Sequence, residues 1–293
     1  MKNKILISML LAAGLTTVNN LQAAEKTQRG LYLGLFGGGS TSDSSDFTQS
    51  GVAFKREPID QHNYDLSVDV KGSSGSQTGA LGGLHVGYEF SEILMCNAYS
   101  GWGLRPAVEL EGYYLGTSKS GTLSNPQTEL GVPVGGGDYH NISAGDHVFK
   151  DSFNLDMGIL LANSVFTFKT PWASNIFTYI GGGVGAAITS ISGADSAQYG
   201  PGTPELSPYI NHFNSNTNAS SSSFATQAKV GIRAEILDHV SVFAEYRYLY
   251  VSATNHTFGS TVYPGIHAET SAWDSHFGST NFHSGVLGIE YGF

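Results

Sequence analysis

Few residues in this sequence stand at spacings that could do chemistry. Glu109 and Glu111 are two apart, so on an extended strand both carboxylates leave one face, as an acid–base pair requires. His283 is followed directly by Ser284, which puts imidazole and hydroxyl on opposite faces of a strand and denies the serine its base. Asp138, His140, Asp146 and His147 crowd one polar stretch, a set able to polarise water, but not at a metal-ligand spacing. Cys96 is the single cysteine, which excludes an internal disulfide; it reads as a thiol in a turn.

The two glutamates belong to a larger set. Arg105, Lys229, Arg233, Glu235, Glu245, Arg247 and Glu290 all sit in segments where apolar residues alternate with polar ones or glycine. A period of two is the signature of a strand with two unlike faces. Eight such segments are predicted: 30–39, 80–90, 104–115, 153–168, 176–189, 224–236, 240–251 and 281–293. The stretches between them run long, short, long, short, long, short, long. The long ones, Ser40–Thr78, Gly116–Asp151, Ser190–Ser223 and Ser252–Thr280, are rich in Ser, Asn, Asp and Gly and are expected to be mobile and poor in core-forming residues.

Composition narrows the class. Of 293 residues only 13% are charged, 12% are aromatic and 38 are glycine. The aromatics argue against disorder, and beyond the N-terminus nothing approaches the ~18 apolar residues of a membrane helix. The N-terminus itself carries Lys2 and Lys4, an apolar run from Ile5 to Leu15, and small residues at Ala23–Ala24, the pattern of an export signal peptide over 1–23. The expected mature chain is then 24–293, a single barrel domain. Losing Lys2 and Lys4 takes the formal charge from −10 to −12, so nucleic acid is not an expected partner.

Sorting of connections by length separates an up-and-down membrane barrel from a β-sandwich. The predicted fold is an all-β, antiparallel, membrane-spanning barrel of eight strands, with short turns on the periplasmic side and four long extracellular loops. The faces bearing Arg105, Glu109, Glu111, Lys229, Arg233, Glu235, Glu245, Arg247 and Glu290 must point inward, because Lys or Arg at mid-depth in lipid costs about 2–4 kcal/mol. The faces bearing Leu, Val, Ile and Tyr, including Leu155, Met157, Ile159 and Leu161, are assigned to lipid. Tyr88, Phe90, Tyr291 and Phe293 then form one aromatic girdle, and Tyr114, Tyr248 and Tyr250 the other.

The segments "GLYLGLFGGG", "YIGGGVGAA", "FAEYRYLY" and "GIEYGF" resemble the eight-stranded outer-membrane barrels, the OmpA-like transmembrane domain and the opacity-type surface antigens. The resemblance covers the strands, about half of the mature chain. It implies that Leu287, Ile289, Tyr291 and Phe293 form a C-terminal assembly signal read by the outer-membrane insertion machinery. It also implies a Gram-negative outer membrane, with lipid and lipopolysaccharide as surroundings. Lipid A deacylase barrels use a His-x-Ser pair, from which His283-Ser284 departs. Omptin-type proteases use Asp and His clusters above a wider barrel, which leaves the 138–147 set as the remaining enzymatic idea. The expected function is display: a surface barrel whose loops meet a host or envelope ligand. A small-solute channel is the alternative. No catalytic residue, metal or cofactor is assigned.

Overall fold

In the computed structural model, residues 30–56, 63–91, 93–94, 102–124, 129–134, 138–143, 148–171, 173–199 and 209–293 are described. Among the described residues all regular structure is β. In chain order the strands are β1 (Gly30–Ser42), β2 (Ser45–Arg56), β3 (Asn63–Ser74), β4 (Gln77–Glu89), β5 (Ile93–Leu94), β6 (Gly103–Ser124), β7 (Glu129–Val134), β8 (Asp138–Ser143), β9 (Val148–Thr170), β10 (Ala173–Tyr199), β11 (Ala219–Leu237), β12 (Val240–Val251), β13 (Thr254–Ser260), β14 (Glu269–Thr270), β15 (Ala272–Phe277) and β16 (Thr280–Gly292). The ring β1-β4-β6-β9-β10-β11-β12-β16 closes on itself, every pair antiparallel. Closure leaves no edge among these eight, the condition for a sheet to cross lipid. Residues 1–23, expected to be a signal peptide, and Cys96 lie outside the described residues.

Alternation sets the two faces. Leu33, Leu35, Leu84, Val86, Val108, Leu110, Ile180, Val184, Val230, Ile232, Leu287 and Ile289 are all exposed on the outer surface. A belt of aliphatic side chains around a barrel filled with charges is the exterior of an outer-membrane barrel. On β9 the expected faces are reversed. Leu155, Met157, Ile159 and Leu161 are buried inside, and Leu160 and Phe166 are exposed outside. The run Ile159–Ala162 is apolar on both faces, so alternation alone cannot orient it; the inward Asn163, bonded to Glu111 and Gln227, decides the register.

The ring continues beyond the membrane belt as an outer storey. β6, β9, β10 and β11 run straight through, 19 to 27 residues long. The other half of the ring bends at one level. The β1–β4 pair ends at Ser42↔Gln77 and resumes as β2–β3 at Ser45↔Ser74. The β12–β16 pair ends at Val251↔Thr280 and resumes as β13–β15 at Thr254↔Phe277. Two residues per strand form this crease: Asp43-Ser44, Gly75-Ser76, Ser252-Ala253 and Gly278-Ser279, small or polar types suited to a bend. β3 rejoins β6, and residues 211–218 link β10 to β13 through Ala194 N–H to Thr217 O (3.0 Å) and Gly259 N–H to Asn216 O (2.8 Å).

The described parts of the long polar stretches therefore form strands around a core, contrary to the expectation of loops poor in core-forming residues. Phe47, Phe149, Phe153, Phe213, Phe258, Trp273 and Phe277 are buried together, with Phe47 and Phe277 stacked at 4.3 Å and Phe213 and Phe258 at 4.4 Å. These aromatics are sparse in sequence, one to three per stretch, with Phe153 just past the second. Only strand pairing across separate stretches gathers them. β7 and β8 pair only with each other, and a lone two-stranded hairpin is marginal in water. Protease added to intact cells is expected to cut within 129–143 and to spare β2, β3, β13 and β15. Early cuts within 45–56 or 272–277 would show that the outer storey is not a folded unit.

Candidate functional site

The charged core fills the barrel within the membrane belt. It is built by the inward positions of β4, β6, β11, β12 and β16, with β1, β9 and β10 contributing polar, aromatic and small residues. Near the periplasmic end, the Arg233 guanidinium reaches Glu89 at 2.8 Å and Glu290 at 3.6 Å, while Arg105 meets Glu89 at 3.5 Å. His85 Nε2 stands 3.2 Å from Glu290. Both guanidiniums lie over the Phe177 ring, at 5.1 and 5.6 Å.

Above this group, the Lys229 ammonium contacts Glu109, Glu111 (3.2 Å) and Glu245 (3.8 Å). Arg247 donates to Glu111 at 2.8 Å and to Glu245, and lies 3.9 Å from the Phe36 centroid. Neutral donors complete the set. Tyr32 donates to Glu109 (2.7 Å), Tyr179 to Glu245 (2.9 Å) and Gln227 to Glu111 (2.8 Å). Five carboxylates thus face four permanent cations, all buried. Charges taken out of water persist only when paired in this way.

The pairs cross the lumen. β12 and β6 lie four strands apart in a ring of eight, as do β11 and β4, so Arg247–Glu111 and Arg233–Glu89 bridge opposite walls. Glycine makes the room. A Cβ at Gly87 would strike the Tyr32 ring and Glu109, and one at Gly231 the Tyr179 ring. Neither tyrosine could then lie across the barrel to reach its glutamate.

Of the residues expected inside, Arg105, Glu109, Glu111, Lys229, Arg233, Glu245, Arg247 and Glu290 are brought together. Glu235 is not: it is half-buried by the Leu237 turn and joins none of these pairs. The network contains members that the charge pattern left out. Glu89 and His85 share the inward face of β4, alternating with Gly87, which was their signal. Gln227, Asn163 and the tyrosine hydroxyls carry no charge to mark them. Tyr88 and Phe90 pack edge to face at 5.2 Å, and Tyr291 and Phe293 at 5.1 Å, on the outer surface of the periplasmic rim. At the other rim Tyr114 donates to Asp156 and Tyr248 to Asn281 (2.7 Å), and Tyr250 is half-buried.

This lattice is poorly suited to catalysis. Glu109 and Glu111 are bound by Lys229 and Arg247, which leaves neither free to take a proton from a substrate. His85, Glu109 and Glu111 offer ligand atoms within 4.8 Å of one another, but a divalent ion there would stand against Lys229 and Arg247. His283 and Ser284 diverge as expected: His283 is outside, 2.6 Å from the Tyr246 hydroxyl, while Ser284 donates inward to Ser40 at 2.9 Å. The side chains of Asp138, His140, Asp146 and His147 lie outside the described residues.

The outer storey has its own buried polar groups. Asp151 is 1% exposed, and neither carboxyl oxygen has a hydrogen-bond partner. Ser196 lies opposite in register, its hydroxyl out of bonding geometry. Burial, opposed weakly by Ser196 and reinforced by the charge of Asp195, pushes the Asp151 carboxyl up to about 8. Outward neighbours at this level, Ser118, Ser120, Lys150 and Ser152, are polar and exposed, so these groups lie above the lipid.

No protein-family model matches the chain, and neither does any curated relative. Among solved structures the chain is similar to Neisserial surface protein A, at 13% identity and a TM-score of 0.34, covering 92% of this chain and 100% of that one. It is similar to the outer membrane protein OprG from Pseudomonas aeruginosa, at 15% identity and a TM-score of 0.38, over 91% and 98%. It is also similar to Ail, the attachment invasion locus protein of Yersinia pestis solved with the heparin analogue sucrose octasulfate, at 13% identity and a TM-score of 0.21, over 84% and 98%.

Proposed function

We propose that this chain is a surface-display barrel of a Gram-negative outer membrane, exported by the signal peptide at 1–23, which holds its outer storey in front of the cell to meet a host or envelope ligand. One observation carries the reading: ion pairs bridge opposite walls at two levels of the lumen. A barrel closed in this way offers partners its exposed extracellular surface, and that surface is an ordered β-structure. Purified barrel in planar bilayers is expected to give small or rare conductance steps. Large, stable channels would favour the small-solute porin reading instead. Replacing 129–143 by a short Gly-Ser turn tests the display half. If the shortened barrel keeps full surface-adhesion phenotype, the ligand is not met by the β7–β8 hairpin.

Assembly is part of this reading. Leu287, Ile289, Tyr291 and Phe293 point outward in succession, and the Phe293 N–H bonds Leu31 O at 2.9 Å. A rim aromatic left half-exposed contributes at most about 2 kcal/mol by burial. Phe293→Ser is therefore expected to lower the amount of barrel reaching the outer membrane while leaving the midpoint of the assembled fraction almost unchanged. Normal accumulation of the variant would refute the assembly-signal role.

A further inference from the structure

The crease between the two storeys holds a small, partly open cavity of about 30 Å³, whose walls include Phe153, Leu155, Met157, Phe277 and Phe282. Lys119 of β6 lines it. The residue is 4% exposed, and its closest charge-type contact is the Phe282 ring, 6.0 Å from Nζ. Among the described residues no carboxylate lines the cavity. An ammonium enclosed by apolar walls must either lose its proton or find a counterion, and this lining supplies none.

Other lining groups point to what the counterion would be. The Thr189 hydroxyl and His256 Nδ1 are both buried and without a partner. His256 Nε2 is 3.1 Å from Thr254 Oγ1; with the hydroxyl donating there, Nδ1 carries the ring proton. The residues lining the cavity thus include a buried ammonium, a threonine and a histidine, and among the described residues no carboxylate that would repel negative charge. Its small volume suits a compact ion.

We propose that this cavity is a binding site for one small monovalent anion, of halide or formate size, held chiefly by Lys119. The site lies above the membrane belt, at the level where the β12–β16 ladder gives way to β13–β15, so its occupant would tie the straight strand β6 to the bent half of the ring. Burial lowers Lys119 to about 8 and His256 to about 4, so near neutral pH the lysine supplies the charge and the histidine a neutral donor. β2, β9, β10 and β15 contribute no titratable group to the lining.

The test uses the full-length mature protein folded in detergent, with sodium bromide exchanged for sodium gluconate at constant ionic strength. Bromide at ten times its half-saturating concentration is expected to raise the heat-unfolding midpoint at pH 7 by roughly 2–4 °C, saturably. Formate should act alike, and the effect should fade above about pH 9 as the amine loses its proton. Lys119→Met should abolish it, and Lys119→Arg should retain it. A bromide response that is absent in the wild type, or unchanged in Lys119→Met, overturns the proposal. Should the methionine variant not fold, lysine ¹⁵N NMR of the wild type decides: bromide must raise the titration midpoint of the buried amine, and an unmoved midpoint overturns the proposal equally.

Discussion

Replacing Arg247 by alanine is expected to lower the folded barrel's stability by about 3–5 kcal/mol, the cost of breaking a buried charge pair from one side. Arg247 is 1% exposed, bonds Glu111 and Glu245, and caps the Phe36 ring. Its removal leaves Glu109, Glu111 and Glu245 sharing Lys229 as their cation, opens space beside Phe36 and Tyr113, and cuts the Arg247–Glu111 bridge between β12 and β6. The observable is the temperature at which the barrel loses its compact mobility on a gel. Lys71→Ala on exposed β3 serves as the reference and should change stability by no more than ~0.5 kcal/mol. Because the loss comes from an orphaned charge, the double variant Arg247→Met/Glu245→Gln should recover part of it. Equal midpoints for Arg247→Ala and Lys71→Ala would show that the lumen is wet enough to solvate the freed glutamates, and with that the closed-barrel reading would fall.

Asp151→Asn should act in the opposite sense. The Asp151 carboxyl is raised to about 8 when folded, against an ordinary 3.8. Between those values the native state holds a proton that the unfolded chain has released, so stability falls as pH rises through that window. Asparagine has the same shape and nothing to titrate. The variant should match the wild type near pH 4 and become progressively more stable than it towards pH 8, with the gain levelling off above that. Heat-unfolding midpoints at pH 5, 7 and 9 give the check. A variant that is less stable at pH 9 would mean that the Asp151 carboxylate is charged and compensated in the fold, contrary to its unpartnered oxygens.

These two substitutions mark different solutions to one problem. In the membrane storey the buried charges are numerous enough, and close enough across a narrow ring, to neutralise one another. In the outer storey Asp151 is a buried acid whose oxygens meet no cation, and a proton compensates it. Lys119 faces the same problem with the opposite sign, and a mobile anion can serve it where a proton cannot.

The sequence by itself determined the barrel. A side-chain period of two is local, and the cost of charge in lipid is large, so the pattern of Arg233, Glu245, Arg247 and Glu290 against Val230, Ile232, Leu287 and Ile289 admits one orientation. Alternating short and long connections then fixed the topology. Where a segment is apolar on both faces the local rule has nothing to act on, and only tertiary structure could orient β9, through Asn163 meeting Glu111 and Gln227 inside. Partners within the core were likewise out of reach: Arg247 and Glu111 are 136 residues apart, and which carboxylate meets which cation depends on strand stagger around the ring. The outer storey was the least legible part. Its core draws Phe47, Phe149, Phe213, Trp273 and Phe277 from all four polar stretches. A hydrophobic core assembled from single residues far apart in sequence leaves no periodic trace in any one of them, because the ladder that aligns them exists only once the ring has closed.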